Sequence, residues 1–264
     1  MLAAVAVIGC GPHVIIMEVD GGTGSTSGPA TPSSSSTDPL GLSTSTTTTP
    51  APGTTFGGES GESSSSTGES ITGPGCGPPP VCDRGTYDGD LFVSSPDEIA
   101  GYTEITGSLS VFRSDFVCLD FLSCMQTVGD VFQVFENNHL RDLSGTNAIV
   151  DVGAADPTGD RSVVYITANY AVTRLNGFGS LSTVDELTIQ QNDGLQSITG
   201  FGSLVDIRRE LLLFVNPALT DLGTIAALDG PADRCWIEHT NVCQSVAVAV
   251  CGPVETVTDN NDGC

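Results

Sequence analysis

Leu187-Thr-Ile-Gln-Gln-Asn192, followed by Leu195, Ile198 and Gly200, is the stretch on which the reading of this chain turns. Apolar residues at 187 and 189 with a polar residue between them have the two-residue period of a short strand with one face inward. Asn192 stands where the chain must turn a corner, Leu195 and Ile198 supply the next inward groups, and glycine permits the return turn. The template recurs. Phe132-Gln-Val-Phe-Glu-Asn137 precedes Leu140, Leu143 and Gly145, and Val164-Tyr-Ile-Thr-Ala-Asn169 precedes Val172, Leu175 and Gly177. Leu211-Leu-Leu-Phe-Val-Asn216 precedes Leu219, Leu222 and Gly223. A degenerate copy, Leu109-Ser-Val-Phe-Arg-Ser114, keeps the alternation but has Ser in place of Asn.

Asn137, Asn169, Asn192 and Asn216 step by 32, 23 and 24 residues, so one coil takes 23 to 24 residues. The coil before Asn169 then carries an insertion, Asp151 to Ser162. No single coil can bury its own apolar residues, so the coils must stack. The expected fold is mainly β, a parallel β solenoid of leucine-rich-type coils, preceded by a disordered linker. The four asparagines are expected to form a ladder, each amide bonding the backbone of neighbouring coils where the bend would otherwise bury polar groups unpaired.

Outside the repeats the chain divides by composition. Residues 20–75 are a Ser/Thr/Gly/Pro stretch without hydrophobic periodicity, unable to repay the entropy of ordering, and read as a stalk. Its composition resembles that of glycosylated surface stalks. Residues 76–245 are expected to form the solenoid with cysteine-containing caps, and 246–264 a C-terminal tail. Residues 1–19 form an apolar leader whose Val7-Ile8-Gly9-Cys10 resembles the lipobox of bacterial lipoproteins. That resemblance implies cleavage before Cys10 and lipidation of its thiol. No Arg or Lys precedes Arg84, so the basic region usual in such leaders is missing, as it would be had the start codon been placed too far downstream. A plain secretory signal is the alternative.

Formal net charge is −24, and every cation is Arg. Nucleic acid is excluded as a partner, because releasing counterions from phosphates takes clustered cations, and Arg208-Arg209 is the only adjacent pair. With Cys10 set aside, Cys76, Cys82, Cys118, Cys124, Cys235, Cys243, Cys251 and Cys264 form an even set suited to four disulfides in an oxidising compartment. The prolines between Cys76 and Cys82 could hold those two thiols close enough to join, and a local disulfide between Cys118 and Cys124 would fix the turn there, but each thiol pairing elsewhere is the alternative and the connectivity is not legible in the sequence. Cys251 and Cys264 pair with each other or with the cap Cys235-Trp-Ile-Glu-His-Thr-Asn-Val-Cys243, whose Trp236 is expected to cover apolar edges. No CxxC pair occurs, and no metal site or cofactor is read from the sequence.

Leu91-Phe-Val-Ser-Ser-Pro-Asp-Glu-Ile99, Tyr102-Thr-Glu-Ile-Thr-Gly107-Ser-Leu and the Asn-x-x-Leu-x-x-Leu repeats together resemble the receptor L domain, the leucine-rich-related module of insulin-type receptors and of bacterial surface proteins. The resemblance spans about Tyr87 to Cys243. It implies a right-handed solenoid, an N-terminal coil capped by a short helix at Pro96 to Ala100 with Ser95 as N-cap, and non-catalytic binding of protein or peptide ligands.

Strand alternation names the outward row: Ser110 and Phe112, Gln133 and Phe135, Tyr165 and Thr167, Thr188 and Gln190, Leu212 and Phe214. Its four aromatics make it the candidate ligand-binding face. Asp151, Asp156 and Asp160 in the insertion are oxygen donors that calcium would accept, but they match no calcium loop and read better as solvated. Asp259-Asn-Asn-Asp-Gly263 begins like an EF-hand loop and lacks its twelfth-position Glu. Neither a Gly-x-Ser-x-Gly elbow nor His-Glu-x-x-His occurs, and His13, His139 and His239 are too dispersed for a triad. The expected function is a surface-tethered binding or adhesion module for protein or polysaccharide, in contact with the membrane only through its lipid, or secreted if Cys10 is unmodified. A structural envelope spacer is the alternative, and a carbohydrate-active enzyme a remote one.

Overall fold

Alternating apolar residues produce strands too short to stand alone, and the chain stabilises them by laying each beside its counterpart from the preceding coil. The computed structural model describes residues 71–154, 162–228, 230–231, 233–252 and 257–264, all within one unit, Ser64–Cys264. In chain order its elements are β1 (Gly85–Tyr87), β2 (Leu91–Val93), α1 (Pro96–Ile99), β3 (Tyr102–Ile105), β4 (Leu109–Phe112), β5 (Thr127–Val128), β6 (Val131–Phe135) and β7 (Asp151–Val152). They continue with β8 (Val163–Thr167), β9 (Arg174–Leu175), β10 (Thr183–Gln190), β11 (Ser197–Ile198), β12 (Asp206–Asn216), β13 (Arg234–Thr240), α2 (Gln244–Cys251) and β14 (Val257–Thr258).

The fold is mainly β, with parallel strands stacked as a solenoid. Its main sheet holds eight strands in the order β14-β13-β12-β10-β8-β6-β4-β2. A second sheet holds β1, β3, β5 and β7, and β9 pairs with β11 on a third side. Inward residues are in register: Leu109, Phe132, Val164, Leu187, Leu211 and Cys235 form one row, and Val111, Val134, Ile166, Ile189, Leu213 and Ile237 the next. All are buried, and each such side chain contributes about 1.5–3 kcal/mol when fully removed from water. Behind them Phe178 and Phe201 stack at 5.1 Å with 4° between ring planes.

Asn137, Asn169, Asn192 and Asn216 have no exposed surface. Each Nδ2 donates to two main-chain oxygens, one from the preceding coil and one two residues upstream: for Asn192 these belong to Ile166 and Gln190, both at 3.0 Å. Each of Asn169, Asn192 and Asn216 accepts, on Oδ1, the main-chain N–H of the preceding asparagine, at 3.1, 2.9 and 3.1 Å in turn. The residue before each asparagine is left-handed: Glu136, Ala168, Gln191 and Val215 have φ between 52° and 56°. Arg113, His239 and Asp259 share that conformation in the flanking coils.

The ordered coil extends beyond the expected limits at both ends. Residues 246–264, expected as a tail, contain most of α2 and all of β14. Asn260 Nδ2 donates to the Ile237 oxygen at 2.8 Å, and its Oδ1 accepts from Thr240, so Asp259-Asn260 is a further corner of the repeat. At the other end Pro74 and Gly75, placed in the stalk from composition, accept main-chain bonds from Val117, Cys118 and Asp120. Asp151 and Val152 are a strand paired with Thr127 and Val128, so the extra residues of that coil begin after them.

The disulfides decide between the local pairings and the alternative, in favour of the alternative. Cys76 joins Cys118, Cys82 joins Cys124, Cys235 joins Cys251 and Cys243 joins Cys264. The first two are parallel staples between the N-terminal segment and the connection that contains Cys118 and Cys124, because stacking sets residues 42 apart side by side. The repeat glycines also have a different cause from a turn. Of Gly145, Gly177, Gly200 and Gly223, only Gly223 has a positive φ, 56°. At the other three a Cβ would sit 1.8–2.2 Å from an oxygen of the preceding coil, so glycine is there to let coils approach.

Candidate functional site

Cross-strand pairing sets the outward side chains of the main sheet in two rows. One runs Phe92, Ser110, Gln133, Tyr165, Thr188, Leu212 and Trp236, the other Phe112, Phe135, Thr167, Gln190, Phe214 and Glu238. All ten expected outward residues thus share one surface, but they are not equally presented. Thr167 and Thr188 are buried, as is Ser110, whose Oγ accepts Gln133 Nε2 at 2.6 Å. Gln133, Phe135, Tyr165, Gln190, Leu212 and Phe214 are half-buried.

Aromatic surface collects at the two ends of this face. At the first end Phe92 is 67 % and Phe112 39 % exposed, and Phe112 stacks on Phe135 at 5.3 Å with 3° between planes. The Arg113 guanidinium lies 4.7 Å from the Phe112 ring centre and pairs with Glu136, whose hydrogen bond and charge raise the Arg113 pKa further above its usual value. Two shallow clefts meet at Arg113, Ser114 and Asp115. One is walled by Phe92, Ser94, Phe112 and Phe116, the other by Glu136, Asn138, His139 and Tyr170. At the far end Phe214 lies 5.9 Å from Trp236 and 5.5 Å from His239.

Phe92 and Trp236 escaped the sequence reading of the face. The alternation Leu91-Phe92-Val93 marks Phe92 as outward, since its neighbours are buried. Trp236, expected to cover exposed apolar edges where the solenoid closes, sits in the outward row beside Leu212.

The arrangement offers apolar ring surface bordered by amides, hydroxyls and ion pairs, among them Arg113 with Glu136 and Arg234 with Glu210. Arg208 is held by Asp185 at 2.7 Å, and Arg209 lies near Glu186 and Asp233, so neither forms part of a cationic patch. His139 lines the second cleft and His239 is a corner residue, 3.5 Å from Asp259. His13, the expected lipidation site Cys10 and the insertion carboxylates Asp156 and Asp160 lie outside the described residues, while Asp151 is exposed on β7. Among the described residues no helix is long and apolar enough to cross a membrane.

Compared with family models, with curated proteins and with solved structures, the chain matches none.

Proposed function

We propose that this chain is a non-catalytic binding or adhesion module displayed at the cell surface, and that its ligand sits on the outward face of the main sheet. The observation that carries this reading is the ring cluster of Phe92, Phe112 and Phe135 beside the Arg113 clefts. Rings held in water on a flat sheet are unfavourable unless a partner covers them. The ligand is a protein or a polysaccharide. In the two outward rows the residues from Ser110 to Leu212 and from Phe112 to Phe214 carry no charge, which favours a neutral polymer over an ionic one, and the outward Glu186 and Glu210 beside them are in ion pairs with Arg209 and Arg234.

Display at the surface rests on the Ser/Thr/Pro stalk and on Cys10 as a lipid attachment point, and the four disulfides are compatible with export. The resemblance to receptor L domains agrees with a binding role. A spacer without a specific ligand is the second reading, favoured by the buried hydroxyls of Thr167 and Thr188 at the middle of the face.

The test uses the full chain with Phe92→Ser, Phe112→Ser and Phe135→Ser together, and separately Tyr165→Ser with Phe214→Ser. Binding to whole cells and to isolated extracellular polymer is measured alongside the melting temperature. Binding that disappears in the first variant while the melt is unchanged supports the proposal. Equal binding by wild type and both variants supports the spacer. Mass spectrometry of the mature amino terminus tests the anchor, and an unmodified Cys10 within an intact peptide would sink it.

A further inference from the structure

The closing coil carries a group of side chains that the ring cluster does not use. Glu238 and His239 lie in β13, and Asp259 follows β14. His239 and Asp259 occupy the same left-handed corner in successive coils, each with φ 53°, so their side chains leave stacked backbone positions. His239 Nδ1 and Asp259 Oδ2 are 3.5 Å apart. One ligand atom from each of Glu238, His239 and Asp259 lies within 4.8 Å of the other two.

The geometry points to a divalent transition-metal site here, made of one imidazole nitrogen and two carboxylates. That donor set suits zinc and its neighbours, whereas calcium and magnesium take oxygens alone. Four-coordinate zinc holds its ligands at about 2.1 Å, hence about 3.4 Å from one another, so the 3.5 Å pair is already at the required spacing. Glu238 closes the remainder by a small movement, and water takes the fourth position. Its carboxylate is oriented beforehand: one oxygen accepts Trp236 Nε1 and the other Thr258 Oγ1, leaving each a further lone pair for the ion. A net charge of −24 raises the local concentration of cations. The bound ion fastens β14 to β13, which pair at only two positions, Ile237 with Val257 and Glu238 with Thr258. The other cluster of such groups among the described residues, Cys118 with Asp120 and Asp142, offers no thiolate, because Cys118 is disulfide-bonded.

Trp236 is the single tryptophan of the chain and bonds to one of the ligands, so its emission reads the site directly. Titrating the full chain with Ni²⁺ is expected to quench that emission along a saturating curve with a micromolar midpoint, and Zn²⁺ to reverse the quench by competition. His239→Asn, which keeps a residue tolerant of the left-handed corner, and Asp259→Asn are each expected to shift the midpoint by about tenfold or more. An unchanged midpoint in both variants, a quench that Mg²⁺ reproduces, or a linear response without saturation overturns the proposal. Should His239→Asn fail to fold, the wild-type melt decides: a rise in melting temperature with Zn²⁺ but not Mg²⁺ supports the site, and no rise overturns it.

Discussion

Asn192 Oδ1 accepts the main-chain N–H of Asn169 at 2.9 Å, across 23 residues of sequence. The same side chain donates through Nδ2 to the oxygens of Ile166 and Gln190, so one amide serves three main-chain groups, of which the Gln190 oxygen also accepts the Ala168 N–H at 3.0 Å. Asn192→Ala leaves the buried Asn169 N–H without this acceptor, at about 1–3 kcal/mol for a buried group left unpaired, and removes both bonds that Nδ2 donates. The expected loss is about 2 kcal/mol or more, read as a lower denaturant midpoint with unchanged slope. Asn192→Ser is expected to recover part of it, because the hydroxyls of Ser114 and Thr240 stand at equivalent corners and bond to Asn137 and Asn260.

Gly200 and Gly202 make a controlled pair. A Cβ on Gly200 would lie 2.1 Å from the Gly177 oxygen, whereas one on Gly202 meets nothing nearer than the Gly179 oxygen at 3.8 Å. Gly200→Ala must push two coils apart and is expected to cost about 1–3 kcal/mol, as overpacking does. Gly202→Ala is expected to leave the thermal melt within error of wild type. Equal effects would show that these coils do not approach as described.

Non-reducing peptide mapping is expected to recover Cys76 linked to Cys118 and Cys82 linked to Cys124, with no peptide joining Cys76 to Cys82. Each bridge closes a loop of 42 residues, for which chain entropy gives about 4 kcal/mol. Replacing both members of either pair by Ser is therefore expected to lower stability by a large part of that amount, measured by denaturation without reductant.

Glu98 near the start of α1 accepts hydrogen bonds from the Ser94 hydroxyl at 2.7 Å and from the Ser94 and Ser95 N–H groups, and these hold its carboxyl below the usual range. A folded pKa below the unfolded one gives stability that is complete above about pH 4.3, the ordinary Glu value, and is lost as pH falls through the lowered value. Ser94→Ala is expected to raise the Glu98 midpoint in an NMR titration. An unchanged midpoint would show that these hydrogen bonds do not set it.

What could be read from residues alone was the part with a period. Leu187, Ile189 and Asn192 and their counterparts announce themselves because one mould is used four times in nearly unbroken spacing. The side walls are built from pairs of residues such as Thr127–Val128, Arg174–Leu175 and Ser197–Ile198, too short for alternation to register. β14 was lost for a related reason: Val257-Thr-Asp-Asn260 has the corner asparagine but no leucine after it. Its signal was the distance from Thr240, itself 24 residues beyond Asn216, since a turn of 20 residues again ends on Asn. The disulfide partners are neighbours only after stacking, so no local spacing of Cys76 and Cys82 could reveal them. For the ring cluster, alternation gave direction but not coverage: it set Thr188 and Phe112 on the same side, while only neighbouring side chains decide that one is shielded and the other open.

Seven successive bends repeat one backbone shape at Arg113, Glu136, Ala168, Gln191, Val215, His239 and Asp259. Those positions hold a guanidinium, two carboxylates, a methyl, an amide, a branched aliphatic and an imidazole, so the shape places almost no demand on chemistry. The buried asparagine column beside them carries the folding information, and the bend positions, Ala168 excepted because it is buried, are left free to be rewritten one rung at a time. A scaffold divided in that way can change what it recognises without renegotiating how it holds together.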